Sequence, residues 1–135
     1  MPSNAQSAAN SKWMYWAGWI MSALPALFLL MDGVMKLAKP EIVVKTTVGL
    51  GYPEDVILGL GIVLLASTIL YLVPQTCVLG AILLTGYLGG AVATHVRVHA
   101  DLFPILFPVV IGALLWGGLV LRYRQLRAVL PLKVQ

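Results

Sequence analysis

The stretch VILGLGIVLLASTILYLVPQTCVLGAILLTGYLGGAVATHV, residues 56–96, decides the fold. It holds two long apolar runs with no Asp, Glu, Lys or Arg, separated by Pro74-Gln75-Thr76. A helix needs roughly 20 apolar residues to cross the hydrocarbon core of a bilayer. The ten-residue alternation typical of barrel strands is not seen. The pattern therefore predicts two membrane-spanning helices, residues 56–73 and 77–96, packed as antiparallel neighbours across a tight turn.

Two further apolar runs flank this pair, at residues 13–37 and 102–121. The first is too long for the core of a signal peptide and ends in charge rather than in a small-residue cleavage site, which favours a retained span. Aromatic residues crowd its start, as at a membrane interface: Trp13, Tyr15, Trp16 and Trp19. We predict an all-α integral membrane protein, a four-helix bundle with both termini on the same side.

Composition supports this class. Hydrophobic residues make up 60% of the chain and charged residues only 10%, against about 25% in soluble domains. The net charge of +4 comes from basic residues near the predicted membrane border, so we expect the lipid bilayer as partner and no nucleic acid. Cys77 is the only cysteine, which excludes an intrachain disulfide and C-x-x-C thiol exchange.

Three segments lie outside the predicted spans. Residues 1–12 are small and polar and predict a disordered tail, and residues 122–135 form a basic tail. Residues 38–55 mix charged and β-branched side chains, which indicates a short amphipathic segment at the interface. The side that carries the termini holds more uncompensated basic residues, so we expect both termini in the cytoplasm. Those basic residues are Lys12, Arg122, Arg124, Arg127 and Lys133.

Polar residues gather at the opposite membrane face. Asp32 and Lys36 lie four residues apart at the end of the first span, so they share a helix face. Two interpretations stay open: a neutralising ion pair, or a shallow position from which Lys36 reaches the interface. The third span ends at the same face with a second polar group: His95, Arg97, His99 and Asp101.

His95 and His99 are four residues apart and could face one metal ion, but no H-E-x-x-H pattern is present. Both histidines lie on one segment, which excludes a bis-histidine haem within the chain. We expect neither metal nor haem. Two interpretations of this polar group stay open. It anchors a helix C-terminus, whose free carbonyls attract cations, or it forms a site for a polar headgroup or a quinone.

Small residues recur along the third span, as Gly86-x-x-x-Gly90 with Gly89 and Ala93 beside them. Such spacing lets helix backbones approach closely. We expect close packing of this face within the chain. A homodimer seam and a groove for a flat lipid-soluble ring are the alternatives.

The chain resembles the DoxX-like family of small four-helix membrane proteins. The resemblance is carried by four stretches: DGVMKLAKP at 32–40, LGYPED at 50–55, LYLVPQT at 70–76 and LGAILLTGYLGGAVATHVR at 79–97. By position, it adds Thr94 to Asp32, Lys36, His95 and Arg97 as residues of a shared polar motif.

The resemblance implies a bacterial-type inner membrane and a role beside redox systems or in membrane-protein assembly. The chain departs from the family pattern at Leu64, where many relatives carry Glu, and at Gln75, where they often carry Arg. Loss of that mid-membrane carboxylate argues against catalysis by this chain alone. We expect a membrane subunit or docking partner of a redox system, with quinone as a candidate ligand. The alternative is a non-enzymatic scaffold that binds other transmembrane helices or a second copy of itself.

Overall fold

The computed structural model describes residues 4–129, with side chains from Lys12 onward. All regular structure in this part of the chain is helical. A short 3₁₀ turn at Glu54–Val56 leads into the third helix. The α-helices are α1 (Asn4–Ala38), α2 (Glu41–Gly49), α3 (Ile57–Leu72), α4 (Cys77–Arg97), α5 (Leu102–Arg122) and α6 (Arg124–Val129).

Four helices are long and apolar enough to cross a membrane: α3 with its preceding 3₁₀ turn, α4, α5, and α1 from Lys12 onward. They confirm the predicted all-α, four-helix membrane architecture. The backbone of α1 begins at Asn4, before the predicted start of the first span. Residues 1–3 of the predicted tail and residues 130–135 of the basic tail lie outside the described residues.

The four long helices form a closed ring. α1 packs against α3 and α5, and α4 packs against the same two helices. The turn at 74–76 joins α3 to α4, as predicted, so it lies on the side where α1 begins and α5 ends, here called the terminal side. The opposite side carries α2 and the α4–α5 connection, and is here called the α2 side.

A column of side chains fills the centre of the ring. Leu64, Leu84 and Leu119 are fully buried there, with Tyr71 and Leu115 beside them. Large apolar side chains also cover the outside of every long helix. In water that surface would be unfavourable, whereas in a bilayer it meets lipid chains. The described residues therefore form the buried apolar centre and the apolar outer surface that are expected of a helix bundle in a membrane.

Close helix approach occurs at glycines other than the predicted ones. A Cβ on Gly80 would collide with the backbone of Tyr71, and one on Gly118 would lie 2.8 Å from the carbonyl oxygen of Gly18. Gly33 and Gly61 form a similar pair between α1 and α3, where a Cβ on Gly61 would lie 3.2 Å from the Gly33 oxygen. These contacts bring α3 against α4, α1 against α5 and α1 against α3.

The expectation of close intrachain packing at Gly86, Gly89 and Gly90 is corrected, because a Cβ at any of them would meet no described atom within 4 Å. Ala93 is exposed as well. Most buried residues of α4 instead lie on a helical stripe that ends at Leu88, and Thr94 is buried further along the helix. Gly86 and Gly90 each lie two residues from Leu88, and therefore about 200° around the helix. The stripe comprises Cys77, Gly80, Ala81, Leu84 and Leu88.

Candidate ligand pocket

A cavity of about 450 Å³ opens among α1, α2, α4 and α5 on the α2 side of the bundle. Its volume lies within the range of small-molecule sites. Eight of the nineteen wall residues carry large apolar side chains, namely Phe28, Leu29, Leu50, Leu60, Leu88, Phe107, Pro108 and Ile111. The remaining wall is polar or small, namely Asp32, Lys36, Thr46, Thr47, Tyr52, Gly86, Tyr87, Gly90, Ala91, Thr94 and His95.

An ion pair on α1 forms one polar side of this pocket. The Lys36 ammonium lies 2.7 Å from a carboxylate oxygen of Asp32, and the two side chains are 14% and 34% exposed. Of the two interpretations left open by the sequence, the structure shows the ion pair. A largely buried ammonium with a single counterion keeps N–H donors available for a ligand in the pocket.

A second polar contact ties the segment after α2 to α4. The Tyr52 and Thr94 hydroxyls lie 2.6 Å apart, and Thr94 donates to the carbonyl oxygen of Gly90 at 2.8 Å. Because Thr94 has a single hydroxyl hydrogen, Tyr52 must be the donor in the contact between the two side chains. Thr94 is buried, so this contact fixes the loop over the pocket.

His95 lines the pocket one residue further along α4. Its Nδ1 lies 2.7 Å from the carbonyl oxygen of Ala91. A carbonyl oxygen only accepts, so Nδ1 carries the hydrogen, and the Nε2 of the neutral ring is an acceptor. The local helix geometry therefore sets the tautomer, since residues four apart lie one turn from each other.

Three residues of the predicted site lie outside the pocket wall. Arg97 donates from Nη2 to the carbonyl oxygen of Leu50 at 2.7 Å and so holds the loop from outside. His99 is exposed at a left-handed position, φ 55°, where the chain leaves α4. Asp101 is exposed and precedes the first residue of α5. Among the described side chains, His, Cys, Asp and Glu form no group of three that could hold a metal ion.

A profile of the DoxX-like family matches residues 20–118, which include every residue of the pocket wall. The chain belongs to the DoxX-like family. No curated protein and no solved structure gives a significant match.

The sequence alone did not identify several pocket residues of this DoxX-like protein. Thr46 and Thr47 come from α2, which the sequence indicated only as an amphipathic interfacial segment. Tyr87 comes from α4, and among the described residues no hydrogen-bond partner is found for its hydroxyl. The sequence feature that could have indicated Tyr87 is its position two residues before Gly89-Gly90, where a Cβ would meet no described atom within 4 Å.

Aromatic rings close the apolar side of the DoxX-like pocket. Phe28 of α1 and Phe107 of α5 meet edge to face, with their centroids 5.0 Å apart. Such a pair presents both a ring face and a ring edge. Both rings belong to the pocket wall, so a ligand in the pocket would contact aromatic surface.

A more open cavity of about 320 Å³ adjoins the pocket between α1 and α2. The two cavities share Phe28, Asp32, Lys36, Thr46 and Thr47. The outer cavity adds only apolar side chains, those of Met31, Met35, Ile42 and Val43. The Asp32–Lys36 pair therefore borders both the pocket and an apolar surface that leads outward.

A separate polar cluster lies on the terminal side. The Arg122 guanidinium stacks 4.0 Å over the Trp19 ring, and its Nη2 donates to the Ser22 hydroxyl at 3.1 Å. Its Nε also lies 3.4 Å from the carbonyl oxygen of Gly118, one turn earlier on α5. The sequence placed Arg122 in the basic tail, whereas its contacts tie α5 to α1 within the DoxX-like bundle.

Proposed function

We propose that this DoxX-like protein binds a ring-headed, lipid-soluble molecule of the quinone class in the pocket. It would thereby act as a membrane subunit or docking partner of a redox system in a bacterial-type inner membrane. The observation that carries the proposal is the pocket itself, a cavity with an aromatic and aliphatic wall and a polar side made by α1, α2 and α4. An amphiphile with a polar ring and an apolar tail matches this pocket, because it too has a polar part and an apolar part.

The ring would lie against the Phe28–Phe107 pair, whose aromatic side chains belong to the pocket wall. Its oxygen substituents would face the polar side, where the Lys36 ammonium can donate. The side chains that the outer cavity adds between α1 and α2 are apolar and would take the tail toward the lipid. These roles are binding and orientation, and the proposal assigns no catalytic step to the chain.

Gly90 offers a direct test because it lines the pocket and a Cβ there would meet no described atom within 4 Å. We expect Gly90→Leu to fill the pocket without a clash inside the bundle. Gly89 is its matched control, since it is the preceding residue on α4, is equally open, and does not line the pocket.

The experiment purifies both variants and the unmodified protein in a mild detergent, extracts bound lipids and identifies ring-containing species by chromatography and absorption spectroscopy. We expect a quinone-class molecule in the unmodified protein and in Gly89→Leu, and its loss in Gly90→Leu. Bulk phospholipid alone in all three samples would overturn the proposal.

A scaffold role is the second candidate, because Gly89 and Ala93 form a small-residue surface of α4 that faces lipid. A helix of another protein or of a second copy would approach closely there. In that case Gly89→Leu, and not Gly90→Leu, would change the oligomeric state or the set of co-purifying membrane proteins.

A further inference from the structure

The hydrogens on one side of the pocket are already committed inside the protein. Thr94 donates to the Gly90 carbonyl oxygen, Tyr52 donates to Thr94, and His95 Nδ1 donates to the Ala91 carbonyl oxygen. These three side chains, Tyr52, Thr94 and His95, are called the acceptor face here. With these hydrogens engaged, the face offers a ligand the lone pairs of the Tyr52 and Thr94 oxygens and, in the tautomer that carries its hydrogen on Nδ1, that of His95 Nε2.

Thr46 can likewise only accept a hydrogen bond from a ligand, since its hydroxyl donates to the carbonyl oxygen of Ile42 at 2.7 Å and keeps only lone pairs free. Donors remain elsewhere on the wall. Lys36 has N–H groups beyond the one directed at Asp32, and the Tyr87 hydroxyl has no hydrogen-bond partner among the described residues. The pocket wall therefore offers both kinds of group, acceptors from Tyr52, Thr94 and His95 and donors from Lys36 and Tyr87.

We propose that the pocket selects the reduced form of its ligand, a ring that carries hydroxyl groups, over the oxidised form, whose oxygens are carbonyls. This inference rests on the proposed function and specifies its ligand further. A hydroquinone hydroxyl both donates and accepts, so one hydroxyl can donate to the acceptor face and the other can accept from Lys36 or Tyr87. A quinone carbonyl can only accept, so it leaves the acceptor face without a partner.

The size of the preference follows from one hydrogen bond. Where water is excluded from a site, a hydrogen bond that the ligand cannot make leaves the protein group unsatisfied. One net hydrogen bond corresponds to a preference of about tenfold in dissociation constant. The quantity to measure is the ratio of the dissociation constants of the oxidised and reduced ligands. Both ligands carry the same tail, so the contribution of the tail to binding cancels in this ratio.

The test uses the full chain in detergent micelles and two probes that differ only in redox state, decyl-hydroquinone and decyl-benzoquinone. Binding is measured anaerobically by equilibrium dialysis, with chromatographic quantification of each probe. We expect decyl-hydroquinone to bind about tenfold more tightly. His95→Ala removes one of the acceptors and should lower the ratio. The control is His99→Asn, which removes the histidine outside the pocket and suits the left-handed backbone there.

Tyr52→Phe is a second variant, useful if His95→Ala does not fold, and it should also lower the ratio. Equal affinities, or tighter binding of decyl-benzoquinone, would overturn the redox-state preference, while binding that Gly90→Leu abolishes would still uphold the proposed function. If neither probe binds better to the unmodified protein than to Gly90→Leu, the proposed function fails and the preference fails with it.

Discussion

The Tyr71 hydroxyl lies 2.7 Å from the Ser22 hydroxyl oxygen in the buried centre of the bundle. The same hydroxyl lies 2.6 Å from the carbonyl oxygen of Leu115. Tyr71 belongs to α3, Ser22 to α1 and Leu115 to α5, so one side chain joins three helices. Ser22 also accepts from Arg122, which extends this contact to the end of α5. A polar link of this kind can hold helices together where lipid offers no hydrophobic driving force between them.

We expect Tyr71→Phe to destabilise the bundle by about 1 kcal/mol, the magnitude typical of one interhelical hydrogen bond in a membrane. The ring is retained, so the loss reports the hydroxyl and not the packing. Reversible unfolding in mixed micelles of dodecyl sulfate and a mild detergent measures it. Tyr15→Phe is the control because Tyr15 is exposed, and it should be neutral. Equal stability of Tyr71→Phe and the unmodified protein would contradict a structural role for this hydroxyl.

The glycines of α4 should respond oppositely to the same substitution. A Cβ at Gly80 would meet the Tyr71 backbone, which cannot move aside as a side chain can. We expect Gly80→Ala to cost about 1–3 kcal/mol through forced separation of α3 and α4. Gly90→Ala should be neutral or slightly stabilising, because the site is open and alanine favours helix over glycine. The same unfolding assay compares both variants, and a reversed order would contradict the described α3–α4 contact.

These glycines mark the limit of what the sequence could predict. Length, hydropathy and the 74–76 turn were enough to predict four spans, because each depends only on local composition. The Gly86-x-x-x-Gly90 spacing indicated where a helix could approach, but not whether a neighbour lies there. Which face of α4 turns inward is decided by the whole stripe from Cys77 to Leu88. That choice depends on α3 and α5 as much as on α4.

The candidate site, too, could be predicted from the sequence only in part. Asp32, Lys36, Thr94 and His95 were predicted together and do line one pocket, since spacing along α1 and α4 brings them to one side of the membrane. The rest of the wall depends on long-range contacts. Tyr52 reaches Thr94 across 42 residues of chain, and Arg97 reaches Leu50 across 47. Such contacts form only once α2 has folded back, which no local pattern encodes.

We expect Asp32→Asn to destabilise the protein by about 1–2 kcal/mol, because it leaves the largely buried Lys36 ammonium without its counterion. Replacing both partners should recover most of that loss, since Asp32→Asn with Lys36→Met removes the unpaired charge. A double-mutant cycle in the unfolding assay measures the coupling between the two residues. The exposed pair Lys45–Glu41 is the control, and its neutralisation should cost far less. Additive effects at Asp32 and Lys36 would contradict a coupled ion pair.

The arrangement of the long helices predicts opposite labelling of two single cysteines. Cys77 is buried and can be replaced by alanine to give a background without thiols. Gln125→Cys lies beyond α5 on the terminal side, and Glu54→Cys lies before α3 on the α2 side; both positions are exposed. Because basic residues mark the cytoplasmic side, a membrane-impermeant maleimide should label Glu54→Cys in intact cells and Gln125→Cys only after permeabilisation. The reverse pattern would contradict cytoplasmic termini, and labelling of both in intact cells would contradict a bundle whose two sides are separated by the membrane.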